Sequence, residues 1–374
     1  MSLVLYRKYR PQAFSEFVGQ EHIVKTVTNA IAKGMISHAY LFSGPRGTGK
    51  TTLARLLAKA VNCQNRKDNE FEPCNKCSSC VEIMKGRAID LIEIDAASHR
   101  GIDDIRELKN GIKFSPTKSK YKVFILDEAH QLSKDAANAL LKTLEEPPSH
   151  AIFVLATTQI YKMIPTIISR CQRFDFRKLT SPEIIKKLTT VVKKEGIKIE
   201  KPALELIALN AGGSIRDAES LLNQVSTLYK DLKKEIKTED IKDLLGLVEI
   251  ELVGKFTDFI SDKKSFETIR YLNEILEKGL DLEEFTKTLI GYLRKLLILK
   301  IMGGEEGSTN PFFGYLSGFT KEEIETIKKQ SENFTEKDII KIIDIFLEAQ
   351  SKMRYASILQ LPLELAIVEI CEKK

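Results

Sequence analysis

The stretch Gly44-Pro45-Arg46-Gly47-Thr48-Gly49-Lys50-Thr51 fits the phosphate-loop pattern G-x-x-x-x-G-K-[ST] at every fixed position. It follows an apolar run at residues 39–43 that predicts a buried strand, and it opens a run at residues 51–58 that predicts a helix. Glycines let the backbone turn its N–H groups inward, and the positive end of the helix adds to the attraction for phosphate oxygens. Lys50 is placed to reach the β- and γ-phosphates, and Thr51 to bind Mg²⁺. A chance glycine-rich turn would not need this strand–loop–helix order, so the stretch predicts a nucleoside triphosphate site.

Four further strand-like runs follow the loop, with helical patterns between them. They are residues 90–95, 122–127, 151–156 and 172–176. Near-continuous apolar strands that alternate with helices are typical of a parallel sheet covered on both faces. The sequence therefore predicts an α/β fold with a parallel five-stranded sheet. Its ligand should bind at the carboxyl ends of the strands.

Two of these strands end in residues suited to the chemistry of a nucleotide. Asp127 and Glu128 follow four apolar residues; a carboxylate there can hold Mg²⁺, and its neighbour can orient or deprotonate an attacking water. We assign Asp127 to the metal and Glu128 to the water. Alone, such a pair would more simply cap the next helix, but the phosphate loop favours the catalytic interpretation. Thr158, with Thr157 as the alternative, ends the next strand with a hydroxyl that can contact a γ-phosphate.

Four cysteines form a second motif. Cys63, Cys74, Cys77 and Cys80 have the spacing C-x₁₀-C-x₂-C-x₂-C. The two-residue spacings let neighbouring thiolates converge on one ion, and four thiolates complete the tetrahedral shell of a structural Zn²⁺. An iron–sulfur cluster is the alternative, because C-x₂-C-x₂-C also occurs there. Ligand number and a reducing compartment favour zinc.

Three basic segments are further candidates. Residues 6–11, Tyr6-Arg7-Lys8-Tyr9-Arg10-Pro11, are an arm whose composition is typical of a solvated terminus, but whose position ahead of the first strand allows a contact with the base or phosphates. Arg216 lies in the first turn of a predicted helix, where a cation is unfavourable, which indicates a partner such as a γ-phosphate. An arginine at the place of Arg170 is usually a surface residue, yet in oligomeric ATPases such an arginine completes the site of the neighbouring subunit.

Composition sets the outer limits. The chain has 374 residues, 43% hydrophobic and 29% charged, which is enough for two or three globular domains. A net charge of +6 permits contact with nucleic acid without requiring it. No apolar run approaches the roughly 18 residues that cross a membrane, and residues 1–8 lack a signal-peptide layout. A cytoplasmic protein is expected. The start of a helix near Asp103 is either an ordinary capped end or a contact for a phosphate backbone.

Taken together, these motifs resemble the gamma/tau subunit family of the bacterial DNA polymerase III clamp loader, a group of AAA+ ATPases. The resemblance is carried by the arm, the phosphate loop, the cysteine insertion, residues 18–22, Leu141–Pro148, Leu155–Thr158, Ser169–Cys171 and Ile215–Ala218. It is dense over residues 6–220. Beyond residue 245 only length and helical character agree.

The resemblance implies an AAA+ fold with three domains. Residues 1–178 would be the nucleotide-binding domain with a four-cysteine zinc module at 63–80, residues 179–244 a helical lid, and residues 245–374 an all-α oligomerisation collar. It implies ATP, Mg²⁺ and Zn²⁺ as ligands. The implied partners are the delta and delta-prime subunits, other copies of the chain, the sliding clamp and primed template DNA.

The resemblance also assigns residue roles. Glu128, Asp127 and Lys50 would act in catalysis, with Thr158 and Arg216 as the first and second sensors of the γ-phosphate and Arg170 as the finger reaching a neighbouring subunit. The nucleotide would be bound by Gly44, Pro45, Arg46, Gly47, Thr48, Gly49, Lys50, Thr51, Thr52, Arg7, Tyr9, Arg10, Pro11 and Arg216.

Two residues depart from the family pattern. Ala137 stands where an aromatic residue is usual, and Glu219 where a leucine is common; both are expected to alter local packing without touching the ATP ligands. Other functions remain open on sequence: a branch-migration motor, an archaeal or eukaryotic clamp-loader subunit, a non-hydrolysing subunit like delta-prime, or a small-molecule kinase. The cysteine insertion argues against the first two, the intact Lys50 and Thr51 against the third, and Arg170 with the predicted helical lid against the last.

Overall fold

The computed structural model describes residues 4–98, 111–112, 114–229, 235–245, 250–277, 279–301 and 321–372. The chain divides into two compact units, Met1–Ile236 and Lys237–Lys374. Asp103, where the sequence predicts a helix start, lies outside the described residues. Within the described part of the chain, no helix combines the length and apolar character needed to cross a membrane.

A parallel five-stranded sheet organises the first unit, as predicted. Its strands are β1 (Ala39–Ser43), β2 (Leu91–Asp95), β3 (Lys122–Asp127), β4 (Ala151–Thr157) and β5 (Gln172–Asp175), in the order β2-β3-β4-β1-β5. Strand β1, which leads into the phosphate loop, pairs with β4 on one side and β5 on the other. The phosphate loop therefore lies beside the carboxyl ends of strands that are distant in sequence.

Helices cover the sheet because the side chains of its central strands are apolar on both faces. In β1, Tyr40 and Phe42 join one core while Ala39 and Leu41 join the other, and all four are buried. Alternate residues of a strand point to opposite faces, so this strand needs a helical layer on each side. The helices up to residue 168 are α1 (Leu5–Lys8), α2 (Glu21–Ala32), α3 (Lys50–Val61), α4 (Ser78–Met84), α5 (Lys134–Glu145) and α6 (Pro165–Ile168), and short 3₁₀ turns lie at Phe14–Glu16, Ala129–Gln131 and Ile160–Lys162.

Three helices, α7 (Ser181–Glu195), α8 (Lys201–Asn210) and α9 (Ile215–Tyr229), complete the first unit. They lie in the segment for which a lid is predicted and are called the lid helices below. A capping box starts α7: Thr180 and Glu183 each bind the backbone N–H of the other. Gly196 ends that helix with φ 67°, a left-handed conformation that favours glycine. At the start of α9, the Ser214 hydroxyl accepts the N–H of Asp217 at 3.2 Å, the N-cap arrangement that serine provides.

The second unit is helical throughout its described residues. Its helices are α10 (Thr238–Leu245), α11 (Ile250–Ser261), α12 (Ser265–Glu277), α13 (Leu282–Ile301), α14 (Lys321–Glu332), α15 (Glu336–Met353) and α16 (Leu361–Glu372). Phe256, Phe285 and Phe346 are fully buried at the centre of one core. The helical pattern read from the sequence beyond residue 245 thus reflects a packed bundle.

Candidate functional site

A cavity of about 440 Å³ opens at the carboxyl edge of the sheet. This is within the range of about 300–1,000 Å³ typical of small-molecule sites. Its wall combines the phosphate loop, the ends of two strands, the N-terminal arm and the lid helices. The lining residues are Tyr6, Arg10, Pro11, Phe17, Val18, Arg46, Gly47, Thr48, Gly49, Lys50, Thr51, Thr52, Asp95, Ala97, Asp127, Glu128, Leu179, Lys187, Ile215, Arg216 and Glu219.

The phosphate loop adopts a backbone that its glycines permit. Gly47 and Gly49 have φ of 75° and 103°, values that other residues rarely adopt. A Cβ atom on Gly47 would lie 1.9 Å from the Ser214 hydroxyl, so only glycine lets the lid approach this closely. Lys50 is 6% exposed, and its Nζ donates to the carbonyl oxygens of Gly44 and Pro45 at 2.7 Å each. Burial lowers the pKa of Lys50, while Glu128 and Asp127 act in the opposite direction.

Thr51 and Asp127 meet although they are far apart in sequence. The Thr51 hydroxyl donates to Asp127 Oδ2 at 2.8 Å. A hydroxyl and a carboxylate are oxygen ligands of the kind that Mg²⁺ prefers, and they come from the two segments that hold the ion in phosphate-loop NTPases. This donor set fits a Mg²⁺ ion that accompanies a triphosphate on the loop.

Glu128 is held in a strained backbone conformation at the end of β3. Its φ of 48° is left-handed, which is uncommon for a residue with a side chain and occurs mainly at functional sites. Its Oε2 accepts the Thr158 N–H at 3.1 Å and the Thr158 hydroxyl at 2.8 Å. His130 Nδ1 lies 3.4 Å from the same oxygen and 3.0 Å from the hydroxyl of the fully buried Thr157. Sequence reasoning assigned no role to His130, but the structure places it against the candidate base.

The lid joins the cavity through the start of α9. The Ile215 N–H donates to the Gly47 carbonyl oxygen at 3.1 Å, so this helix begins directly on the phosphate loop. Arg216 lines the cavity, and its guanidinium carbon lies 5.0 Å from the centre of the Tyr6 ring. The arm is therefore part of the site through a cation–π contact.

Only some residues of the arm line the cavity. Arg10 and Pro11 line the cavity, as does Tyr6, but Arg7 and Tyr9 do not. Tyr9 points instead to α7, where its hydroxyl donates to Glu195 at 2.6 Å. The arm is thus tied to α7 by Tyr9, and the contact of Arg7 and Tyr9 with a nucleotide stays a prediction.

Arg170 lies outside the cavity of its own chain. Its Nη2 donates to Glu145 Oε1 at 2.6 Å and its Nη1 to the Thr166 carbonyl oxygen at 2.8 Å, and its side chain is 32% exposed. These contacts fix the guanidinium at the surface of the first unit. This position lies away from the cavity lining of its own chain and is compatible with a role toward another subunit.

The four cysteines converge as their spacing predicts. Their sulfur atoms all lie within 4.8 Å of one another, and Cys74 Sγ is 4.0 Å from Cys80 Sγ. Burial alone would raise the pKa of Cys74, but the N–H groups of Lys76 and Cys77 donate to its sulfur and lower the pKa to about 6. Tetrahedral Zn²⁺ with Zn–S bonds of about 2.3 Å would hold its sulfurs about 3.8 Å apart. The cluster fits such an ion.

Comparison with known proteins identifies the family. Three family descriptions match: "DNA polymerase III, delta subunit" over residues 19–180, "DNA polymerase III clamp loader subunit, ATPase lid domain" over 183–227, and "DNA polymerase III subunits gamma and tau domain III" over 236–374. DNA polymerase III subunit gamma of Buchnera aphidicola subsp. Acyrthosiphon pisum is 37% identical over 98% of each chain.

The chain belongs to the gamma/tau subunit family of DNA polymerase III.

Other relatives agree with this assignment. DNA polymerase III subunit tau of Bacillus subtilis is 43% identical over 98% of this chain and 63% of its own length, and subunit tau of Escherichia coli is 39% identical over 80% and 46%. The chain thus spans less than two thirds of these tau subunits. Among solved structures, the Thermotoga maritima RuvB Holliday junction branch migration motor aligns at 21% identity over 67% of this chain and 79% of that chain, with a TM-score of 0.48. The predicted gamma/tau family and the α/β fold with a parallel five-stranded sheet are confirmed, and residues 183–227 match a clamp-loader ATPase lid domain.

In this gamma/tau family member, an ion pair in the cavity wall was not predicted from the sequence. Glu219 is 4% exposed, and its Oε1 lies 4.0 Å from Lys187 Nζ. Burial raises the pKa of Glu219 to about 7, against the opposing charges of Lys187 and Arg10, and burial lowers the pKa of Lys187. Desolvation therefore outweighs the attraction between the partners. Glu219 was expected only to alter local packing, but it lines the same cavity as the predicted ATP ligands.

Because of Glu219, the free energy of unfolding should fall as the pH rises from about 4.5 to about 7. In that range the unfolded chain releases the carboxyl proton while the folded chain keeps it, since the folded pKa is about 7, so the unfolding free energy falls by up to about 3 kcal/mol. Denaturant unfolding across this range should show a smaller fall for Glu219→Gln than for the wild type. Identical pH profiles for the two proteins would contradict the buried acid.

Metal analysis of the purified protein should find one zinc per chain. Cys77→Ser should lose the zinc and unfold at lower temperature, because the cluster would lack a ligand and its three remaining thiols would face one another. Cys171→Ser, which removes a cysteine outside the cluster, is the control and should retain the metal. Iron and sulfide in place of zinc, or full zinc content in Cys77→Ser, would contradict the assignment.

Proposed function

We propose that this chain is the ATP-hydrolysing motor of a clamp-loader complex, which opens a sliding clamp and loads it onto primed template DNA. The observation that carries the proposal is the cavity in which the phosphate loop, the Asp127–Glu128 pair and Arg216 of the lid come together. Family membership supports a role in a clamp loader, and the residues of the cavity support ATP hydrolysis. The proposed partners are delta and delta-prime subunits, further copies of this chain, the clamp and DNA.

Within the cavity the proposal gives each side chain a task. Lys50 binds the β- and γ-phosphates, and Thr51 and Asp127 would hold Mg²⁺, which neutralises phosphate charge when bound. Glu128 accepts a proton from the water that attacks the γ-phosphate. Thr158, hydrogen-bonded to Glu128, positions that carboxylate and serves as the first sensor.

Two arginines would couple ATP binding and hydrolysis to movement of the lid and of the ring. Arg216 follows the residue that bonds the loop, so contact between its guanidinium and a γ-phosphate would draw the lid onto the nucleotide. Arg170 would act on the site of a neighbouring subunit. ATP binding would then organise the ring around clamp and DNA, and hydrolysis would release them.

The proposal also covers the domains, the cysteine cluster and the place of action. The proposed domains are residues 1–178 for nucleotide binding, 179–244 for the lid and 245–374 for the collar through which subunits assemble. The four-cysteine cluster would hold a structural Zn²⁺, since four thiolates leave no open position for a substrate. The proposed place of action is the cytoplasm, where bacterial DNA is replicated.

Replacing Glu128 by glutamine tests the proposed role of this residue in ATP hydrolysis. The variant should bind ATP with nearly unchanged affinity but hydrolyse it about 10²- to 10⁴-fold more slowly, because the amide cannot accept the proton of the attacking water. ATP affinity by equilibrium binding and phosphate release in the assembled complex separate the two effects. Glu205→Gln, on the exposed face of α8, is the control and should hydrolyse ATP normally. Unchanged turnover in Glu128→Gln would remove Glu128 as the base.

A further inference from the structure

One part of the cavity wall is apolar and contains a buried acid. Pro11, Val18, Leu179 and Ile215 line the cavity together with Glu219. Glu219 follows Ile215 by four residues on α9, so both lie on the same face of the helix. Since the Ile215 N–H bonds the phosphate loop, Glu219 lies one helical turn, about 6 Å, further from the loop.

One carboxyl oxygen of Glu219 lacks a hydrogen-bond donor. This atom, Oε1, is buried and has no hydrogen-bond partner. Lys187 Nζ, at 4.0 Å, is too distant for such a bond and donates instead to the Tyr9 carbonyl oxygen at 2.8 Å. Buried polar atoms in folded proteins nearly always have a partner. A ligand in the cavity that carries an N–H group would supply the missing one.

A nucleoside triphosphate has polar groups that match this arrangement. With its phosphates on the loop, its flat base would lie against the apolar wall, which leaves the polar edge of the base to meet Glu219. The edge of adenine carries an exocyclic amino group, which donates hydrogen bonds. A base with a carbonyl oxygen at the same position would place that oxygen against a carboxylate.

We propose that Glu219 is a specificity-determining residue of the nucleotide site, where its Oε1 accepts a hydrogen bond from the exocyclic amino group of adenine. This inference rests on the proposed binding of ATP in the cavity. Lys187 faces the carboxyl group with its positive charge at 4.0 Å, and the bond from Ile215 to the phosphate loop holds the start of α9. The site therefore selects the amino group of the base in addition to the phosphates.

A purely structural ion pair gives a different expectation. If Glu219 served only to pair with Lys187, its replacement would change the affinity for all nucleotides alike through the stability of the lid. A hydrogen bond to the amino group changes the affinity only for nucleotides that carry that group, because a site built around a hydrogen bond rejects an analogue lacking it.

Equilibrium dissociation constants for ATP and for purine riboside triphosphate, which lacks only the amino group, test the inference. Measurements are made at pH 8, where the carboxyl group is ionised. The wild type should prefer ATP by about tenfold or more, the effect of one hydrogen bond to a charged group. Glu219→Leu should bind the two nucleotides about equally, through loss of ATP affinity. Glu219→Gln keeps the shape and an amide oxygen but not the charge, and its preference should be severalfold smaller than in the wild type.

Asp217→Asn, an exposed position on the same helix turn, is the control and should keep the preference. A wild type that binds both nucleotides equally would overturn the inference, as would an unchanged preference in folded Glu219→Leu. If that variant does not fold, an unchanged preference in Glu219→Gln has the same meaning. Binding of neither nucleotide by the wild type would overturn the proposed function itself, together with this inference.

Discussion

Replacing Lys50 by alanine is expected to abolish ATP binding at micromolar concentrations. The lysine is buried at the start of helix α3, with its ammonium group held by two carbonyl oxygens of the phosphate loop. In the nucleotide complex the same group would neutralise the β- and γ-phosphates in a low-dielectric site, where a charge-assisted hydrogen bond contributes about 1.5–3 kcal/mol. Loss of two such bonds corresponds to at least a hundredfold weaker binding, by roughly 1.4 kcal/mol per tenfold.

A second lysine on the same helix provides the control. Lys59 is also buried, at 2% exposure, but it bonds Gln12 and lies outside the cavity wall. Lys59→Ala should therefore lower the unfolding temperature without a comparable loss of ATP affinity. Isothermal titration with ATP and Mg²⁺, with thermal unfolding measured beside it, distinguishes a lost ligand from a lost fold. Micromolar ATP binding by Lys50→Ala would refute the phosphate-loop assignment.

Replacing Arg170 by alanine should reduce ATP hydrolysis by about 10³-fold or more in the assembled ring, with little effect on ATP binding by the isolated chain. A guanidinium supplied by a neighbouring subunit stabilises the charge that develops on the transferred phosphoryl group, an effect of about 10³–10⁵ in rate. Arg170 is suited to this task because it lies outside its own cavity and is fixed by Glu145 and the Thr166 carbonyl oxygen.

Mixed rings give the decisive control for Arg170. A subunit carrying Arg170→Ala should still hydrolyse ATP when its neighbour supplies the arginine, whereas a subunit carrying Glu128→Gln should not. Arg173→Ala, which removes a nearby arginine paired with Asp175, should leave hydrolysis unchanged. Turnover that is lost with Arg170→Ala even beside a wild-type neighbour would place the effect within one chain and contradict a role in trans.

Local motifs predicted the parts of the site that short segments determine. The phosphate loop, the Asp127–Glu128 pair and the cysteine cluster each lie within a single stretch of sequence, and the structure brings each together as expected. The central strands β1, β3 and β4 were predicted for a similar reason, since each is a short, almost wholly buried apolar run. Arg216 was found because a cation at the start of a helix is locally unfavourable.

What the sequence did not predict depends on contacts between distant segments. Tyr6 lines the cavity and Tyr9 does not, because Tyr9 bonds Glu195, which is 186 residues away. Glu219 appeared to be a change in packing, since nothing in its own helix indicates that α9 turns this face toward the cavity. His130 reaches the hydroxyl of Thr157 at 3.0 Å, a residue of β4 that is 27 positions away. Periodicity and motif spacing carry no information about such pairings.

The central claim is that this chain drives the loading of a sliding clamp, and one measurement tests it most directly. The chain is combined with candidate delta and delta-prime subunits, and transfer of a labelled ring clamp onto primed circular DNA is followed with and without ATP. We predict loading that requires ATP, a primer and an intact Lys50. A stable assembly that hydrolyses ATP yet leaves the clamp free in solution would contradict the account.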